Sequence, residues 1–232
     1  MRSTHAFAEK VALVAGVSGP IGRAVALQLA LLGAFVVSVD DESSAESDRS
    51  LDELRSLGTL AGSVTADLAT QTGAAFAVAE IDKMFGRIDL LVSCLKLDDE
   101  SEFLKFDDPA LENMLGAAVK TPCFLIQEAF RLMNPRPKAR IVNVVPPIGD
   151  RTNAVLYQTA RAAVEGLTRS MAAALPKHFR VNCVAVEGVR GLKKNDLFVE
   201  ETGITNDDVA RTVLFLLSSE AAGVNGRTIS VG

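Results

Sequence analysis

The chain is poor in the residues on which many active sites are built. Its 232 residues include two histidines, three cysteines and one tyrosine. With only His5 and His178, clustered His/Cys ligands for a zinc site have nothing to start from. No G-x-S-x-G elbow is present, which argues against a Ser-His-Asp hydrolase. Cys94, Cys123 and Cys183 are odd in number, widely spaced and form no C-x-x-C pair, so they read as reduced packing residues. Basic charge is not in excess either: the net charge is −5, which leaves no electrostatic footprint for nucleic acid. The first apolar run, residues 11–15, follows Glu9-Lys10 and stops at Gly16, too short for a signal-peptide core or a membrane span. The expectation is a cytoplasmic protein with no membrane and no nucleic-acid partner, and with no resident metal.

What is present is ordinary for a folded α/β protein. Apolar residues make up 48% and charged residues 23%, enough burial to offset chain entropy. Val/Ile/Leu-rich runs at 11–15, 35–40, 60–65, 88–93, 140–145, 180–185 and 228–231 predict seven strands. Their near-continuous apolar character suits a parallel sheet covered on both faces. Helical periodicity alternates with them at 21–32, 50–57, 73–85, 109–132, 154–175 and 206–218. In the fifth of these, Ala160, Val164, Leu167, Met171 and Ala174 line one face, which predicts core or subunit packing. The acidic stretches 40–48 and 98–108 read as solvated connections, and no linker divides the chain. Residues 1–232 are therefore expected to form one domain.

Three segments carry candidate chemistry. Ala15-Gly16-Val17-Ser18-Gly19-Pro20-Ile21-Gly22 follows the first strand and opens the first helix, the setting of a phosphate-binding turn. Glycines there allow close backbone approach, while free N–H groups and the helix dipole favour an anion. Pro20 has no N–H to contribute. Asp40 ends the second strand, where a carboxylate can accept hydrogen bonds from adenosine ribose hydroxyls, with Asp41 and Glu42 adding negative charge. That favours NAD over NADP. Asp67-Leu68 follows the third strand, where Asp67 can serve as the cap of the next helix.

Together with Tyr157-Gln158-Thr159-Ala160-Arg161 and its continuation to Ser170, these segments resemble the short-chain dehydrogenase/reductase family. The resemblance implies a Rossmann-type doubly wound sheet of seven parallel strands flanked by helices. It implies an NAD(P)-dependent oxidoreductase that moves hydride between nicotinamide and an alcohol or carbonyl. By the same likeness Gly16, Ser18, Gly19, Ile21, Gly22, Asp40, Asp67 and Leu68 hold the cofactor, Tyr157 exchanges the proton, and Arg161 stands where the family has a lysine. The framework segments match, whereas several positions that would touch substrate or nicotinamide depart. Val145-Pro146 replaces a serine element with Thr152 the nearest hydroxyl, Ala118 replaces an asparagine, Ser93-Cys94-Leu95-Lys96 replaces Asn-Asn-Ala-Gly, and Val186-Glu187 replaces Pro-Gly. Pro122 fixes the register of the helix containing Ala118. Only a short segment separates Glu187 from the last helix, so a shallow substrate pocket is expected. Two functional readings follow: a slowed oxidoreductase, or a non-catalytic homologue serving as partner subunit, nucleotide sensor or scaffold. The resemblance also implies a homodimer or homotetramer paired through helices 109–132 and 154–175, or a hetero-oligomer with an intact homologue.

Overall fold

In a computed structural model, residues 6–97, 104–147, 155–187 and 203–232 are described. Seven strands, β1 (Val11–Ala15), β2 (Phe35–Asp40), β3 (Ala61–Thr65), β4 (Leu90–Cys94), β5 (Arg140–Val145), β6 (Arg180–Val186) and β7 (Thr228–Val231), form one sheet. Its order is β3-β2-β1-β4-β5-β6-β7, and every neighbouring pair is parallel. The helices are α1 (Pro20–Leu31), α2 (Ala45–Ser56), α3 (Gln71–Phe85), α4 (Asp108–Leu115), α5 (Thr121–Met133), α6 (Val155–Ala174) and α7 (Asn206–Leu217).

The period of two along the strands explains the layers. Ala12, Val14, Val36, Val92, Val142 and Val184 face one side, where they meet α1 and α7. Val11, Leu13, Val37, Leu91, Ile141 and Val181 face the other, under α3 and α5. All twelve of these strand residues are at most 1% exposed. Burying each of the Val, Leu and Ile side chains among them is worth about 1.5–3 kcal/mol, which is why apolar runs rather than alternation mark these strands. On α6 the buried face is Leu156, Tyr157, Ala160, Val164 and Thr168. Of the expected stripe, Ala160 and Val164 lie in the core, while Leu167 and Met171 are half-buried and Ala174 is exposed.

Two helices differ from expectation for identifiable reasons. α2 starts at Ala45 rather than residue 50, because Ser44 caps it by accepting the Ser47 N–H at 3.1 Å and Glu46 and Asp48 sit in its first turn. Part of the acidic stretch is thus helix rather than connection. The single helix expected at 109–132 is α4 and α5 joined through a π-helical turn, Gly116–Lys120. Pro122 has no N–H to give the Ala118 carbonyl, so the regular ladder breaks there, and the wider turn absorbs the break. The distortion occurs with alanine at position 118.

Strand order reverses direction between β1 and β4. Parallel sheets of this kind leave a crevice at such a switch point, beyond the carboxyl ends of the strands.

Candidate active site

The glycine turn occupies that crevice. Gly16 leaves β1 with φ +81°, and its N–H donates to the Val39 carbonyl at 2.9 Å. A Cβ on Gly16 would stand 2.2 Å from the Cys94 carbonyl oxygen, and one on Gly22 would stand 2.1 Å from the Gly16 oxygen. Backbone meets backbone at both places, so only glycine fits. Gly19 differs: its nearest neighbour would be 3.5 Å away, and it serves as the N-cap of α1 without a side-chain cap. The first helix bond comes from Arg23 N–H to the Gly19 carbonyl. The N–H groups of Ile21 and Gly22 are therefore left to whatever lies in front of the helix. Pro20 occupies the first helical position, where its missing N–H has no intrahelical acceptor to lose.

In front of the turn lies a cleft of about 670 Å³. Gly16, Ser18, Gly19, Ile21 and Gly22 form one wall, Cys94 to Leu97 a second, Glu42, Ser44 and Glu46 a third, and Pro146 and Pro147 close it. Ser18 Oγ is buried with no hydrogen-bond partner. A narrower crevice of about 40 Å³ continues beside it, lined in part by Asp40, Asp41, Leu68 and Ser93. The Ser93 hydroxyl there is also buried and unpartnered.

Asp40 is 4% exposed, and both its oxygens accept: Oδ1 from Ser18 N–H at 3.0 Å, Oδ2 from the Ser47 hydroxyl at 3.2 Å. It therefore ties β2 and α2 to the glycine turn. Asp41 accepts from Leu68 N–H at 3.3 Å, and burial raises its carboxyl above the ordinary range despite that bond and the nearby Lys96. Asp67 lies apart from both cavities. It is exposed, and its carboxylate accepts from Ala69 N–H at 3.0 Å. The capping alternative for Asp67 is corrected by Thr70, whose hydroxyl accepts from Gly73 N–H at 3.1 Å and starts α3.

Tyr157 is 2% exposed, on α6 behind the rim of the cleft. Its hydroxyl donates to the Pro146 carbonyl at 2.5 Å, and burial raises the phenol above its ordinary value, while Arg161 pulls the other way. Arg161 does not stand free beside it. Its two terminal nitrogens fork onto the Glu187 carboxylate at 2.9 and 2.6 Å, and its Nε reaches Glu165 at 3.2 Å. Arg161 and a Ser230 hydrogen bond draw the Glu187 carboxyl down to about 2. Val145, where the resemblance would put a serine, is fully buried in the core beside Tyr157. Thr152 and most of the segment after Glu187 lie outside the described residues.

The structure thus groups Gly16, Ser18, Gly19, Ile21 and Gly22 on one wall, places Asp40 and Leu68 in the adjoining crevice, and sets Tyr157 and Arg161 behind Pro146. Sequence reasoning missed Ser47, Glu165 and Glu187. Glu165 was legible as the i+4 partner of Arg161. Glu187 was not, since only the packing of α6 on β6 brings it near. Cys94 and Cys183 carry no reactive thiolate: burial pushes both thiols up to about 12. Among the described residues no cluster of His, Cys, Asp and Glu could hold a metal, and no helix is long and apolar enough to cross a membrane.

Known proteins match this arrangement along the whole chain. The family model for short chain dehydrogenase matches residues 10–198. The chain is 30% identical over 181 residues to the short-chain dehydrogenase/reductase FrzI of Cladobotryum sp, covering 76% of this chain and 69% of that one. It is 25% identical to tropinone reductase-like 3 of Erythroxylum coca, over 97% of this chain and 92% of that protein. Among solved structures, the citronellol catabolism dehydrogenase (AtuB) of Pseudomonas aeruginosa PAO1 superposes with a TM-score of 0.85 at 25% identity, covering 100% of this chain and 96% of that one. The hydroxysteroid dehydrogenase from Escherichia coli superposes with a TM-score of 0.88 at 22% identity, over 100% and 99%, and shows the shared fold. The glycine turn, the parallel seven-stranded sheet and these matches together establish that the chain belongs to the short-chain dehydrogenase/reductase family.

Proposed function

We propose that this chain, acting as a single domain, is a nicotinamide-dinucleotide oxidoreductase that interconverts an alcohol and a carbonyl, with Tyr157 exchanging the proton and NAD(H) preferred to NADP(H). The observation that carries the reading is the cleft itself, where an all-backbone turn with two unpaired helix N–H groups faces a volume that also reaches Pro146, the residue holding the Tyr157 hydroxyl. The residues suit the cofactor. Gly16 and Gly22 leave room that a Cβ would fill, and the orphaned Ser18 Oγ supplies one more donor at the same wall. A diphosphate would be held by the Ile21 and Gly22 N–H groups and Ser18. When bound, the nicotinamide supplies or accepts the hydride at the substrate carbon. Tyr157 gives or takes the proton on the substrate oxygen. Asp40, Asp41, Glu42 and Glu46 make the ribose end of the path acidic, which disfavours a 2′-phosphate.

Calorimetric titration with NADH and NADPH, followed by NADH oxidation with a panel of carbonyls, tests the reading. NADH binds more tightly than NADPH, and Tyr157→Phe keeps NADH affinity while losing turnover by about 10²–10⁴, the usual size of a general-acid contribution. Absence of NADH binding, or turnover in Tyr157→Phe equal to that of the unaltered chain, would overturn it. We also propose a dimer or tetramer formed through α5 and α6, for which a monomeric mass at micromolar concentration is the contrary result.

A further inference from the structure

Among the described residues Arg161 is the cation beside the Tyr157 phenol, within hydrogen-bond reach of it, yet two carboxylates compete for the same guanidinium. Glu187 takes both terminal nitrogens in a fork, the strongest geometry open to a guanidinium and a carboxylate, and Glu165 takes Nε. Two carboxylates on one guanidinium leave the group with a net negative charge.

Glu187 is itself well fixed. Its N–H donates to the Val231 carbonyl at 2.9 Å, the Ser230 hydroxyl bonds its carboxylate, and Gly232 packs so close that an added Cβ would stand 2.5 Å from the Glu187 Cβ. The end of β7 thus braces the carboxylate against Arg161. Meanwhile the phenol donates to the Pro146 carbonyl oxygen. Only a neutral phenol can make that bond. A phenolate would face a lone pair instead.

We propose that Glu187 is a positioning residue, which holds the Arg161 guanidinium in a fork on the β6–β7 side so that Tyr157 stays a neutral proton donor and the site is set for carbonyl reduction. The inference rests on the reading that Tyr157 exchanges the proton. In such a reduction the carbonyl carbon gains a hydride from the reduced nicotinamide, which leaves oxidised. The carbon–oxygen π pair moves onto oxygen, and that oxygen takes the proton from Tyr157. Water then returns a proton to the phenolate. Among the described residues the charged and titratable groups acting on the phenol are Arg161 on its own helix and Glu187 and Cys183 from β6 and its exit. Cys183 is a neutral thiol at any working pH.

The composition supplies a direct readout, because the chain has one tyrosine and no tryptophan. Tyrosine labelled with ¹³C at Cζ gives a single resonance whose pH titration reports the Tyr157 phenol without turnover, with circular dichroism confirming the fold at each pH. In the unaltered chain the phenol titrates above the ordinary value of about 10. Glu187→Gln releases Arg161 and lowers the midpoint by about one unit, roughly a tenfold rise in phenolate fraction at fixed pH. Glu187 also acts on the phenol through its own charge, so the same substitution is made on Arg161→Gln. There the shift shrinks to less than half if Glu187 works through Arg161. Glu187→Asp restores most of the native midpoint, and it replaces Glu187→Gln with a smaller shift of the same sign should the amide variant not fold. Equal shifts in both backgrounds, or no downward shift, overturn the proposal. In the active protein the alkaline limb of the pH–rate profile for reduction moves down by the same amount. A titration shift without any Tyr157-dependent turnover would retain the positioning role and reject the oxidoreductase reading.

Discussion

Gly16 is the position at which the turn can be tested most directly, because two separate costs attend a methyl group there. Its φ of +81° lies in the left-handed region, and an added Cβ would meet the Cys94 carbonyl oxygen at 2.2 Å. The first cost is about 1–2 kcal/mol for an L-residue. The second is overpacking of about 1–3 kcal/mol, and no side-chain rotation relieves it because the obstacle is backbone. Gly58 separates the two. It has φ +75°, is exposed and has nothing within 4 Å of its would-be Cβ.

Both alanine substitutions remove the same flexibility from the unfolded chain, so that term cancels in their difference. Gly58→Ala should cost about 1–2 kcal/mol and Gly16→Ala about 2–5 kcal/mol. In a chain of this size about 3 kcal/mol corresponds to roughly 6–12 °C in Tm, well within the reach of thermal unfolding. Binding adds an independent measure. NADH affinity falls at least tenfold in Gly16→Ala, because β1 and the β4 exit must separate, and is unchanged in Gly58→Ala. Equal losses of Tm in the two variants, with NADH affinity kept in both, would refute the claim that close backbone approach shapes this turn.

Two further outcomes follow from the charges. Asp40→Asn keeps an acceptor for Ser18 N–H and can donate to the Ser47 hydroxyl, so the turn survives while one negative charge goes. A unit charge at about 4 Å is worth about 1 kcal/mol in a watery setting, so calorimetry should show NADPH binding about 5-fold tighter with little change for NADH; an unchanged NADPH affinity contradicts the acidic-wall argument. Glu187 is held at about 2 in the folded chain against an ordinary value of 4.5, so the unfolded state takes up its proton first as the medium is acidified. Its stabilisation is complete above about pH 4.5 and drains away toward pH 2; the Tm gap between the unaltered chain and Glu187→Gln narrows from pH 6 to pH 3, and a constant gap would show that the ion pair does not contribute.

Much of the fold was legible because the residues that build it act locally. The five inner strands were marked by apolar runs that two-sided burial explains, the half-buried edge strands β3 and β7 less so, and the glycine spacing marked the turn because strand and helix flank it. The start of α2 was hidden by its acidity, although Ser44 followed by Glu46 and Asp48 has the pattern of a helix start. The π-helical turn had a local signal as well, Pro122 inside an otherwise helical stretch. Asp67 and Thr70 could each cap a helix, and the Thr70 spacing to Gly73 N–H decided the matter. The fork of Arg161 on Glu187 had no such marker, since 26 positions separate the two and the fork exists only once α6 lies on β6.

Pro20 bears on how far the nucleotide site departs from a full set of donors. The turn is held by the left-handed Gly16, by the close contact between Gly22 and Gly16, and by the Asp40 carboxylate on Ser18 N–H. None of these uses the group that proline lacks. What is lost is one N–H facing the anion, and a hydrogen bond to a charged group is worth about 1.5–3 kcal/mol net. That is about a fortyfold change in affinity near its middle, against a site that keeps Ile21 and Gly22 N–H, the α1 dipole and the unpartnered Ser18 hydroxyl. Proline at the first helical position also fixes φ before folding and so lowers the entropy lost in forming α1. The substitution therefore trims diphosphate binding without removing its basis.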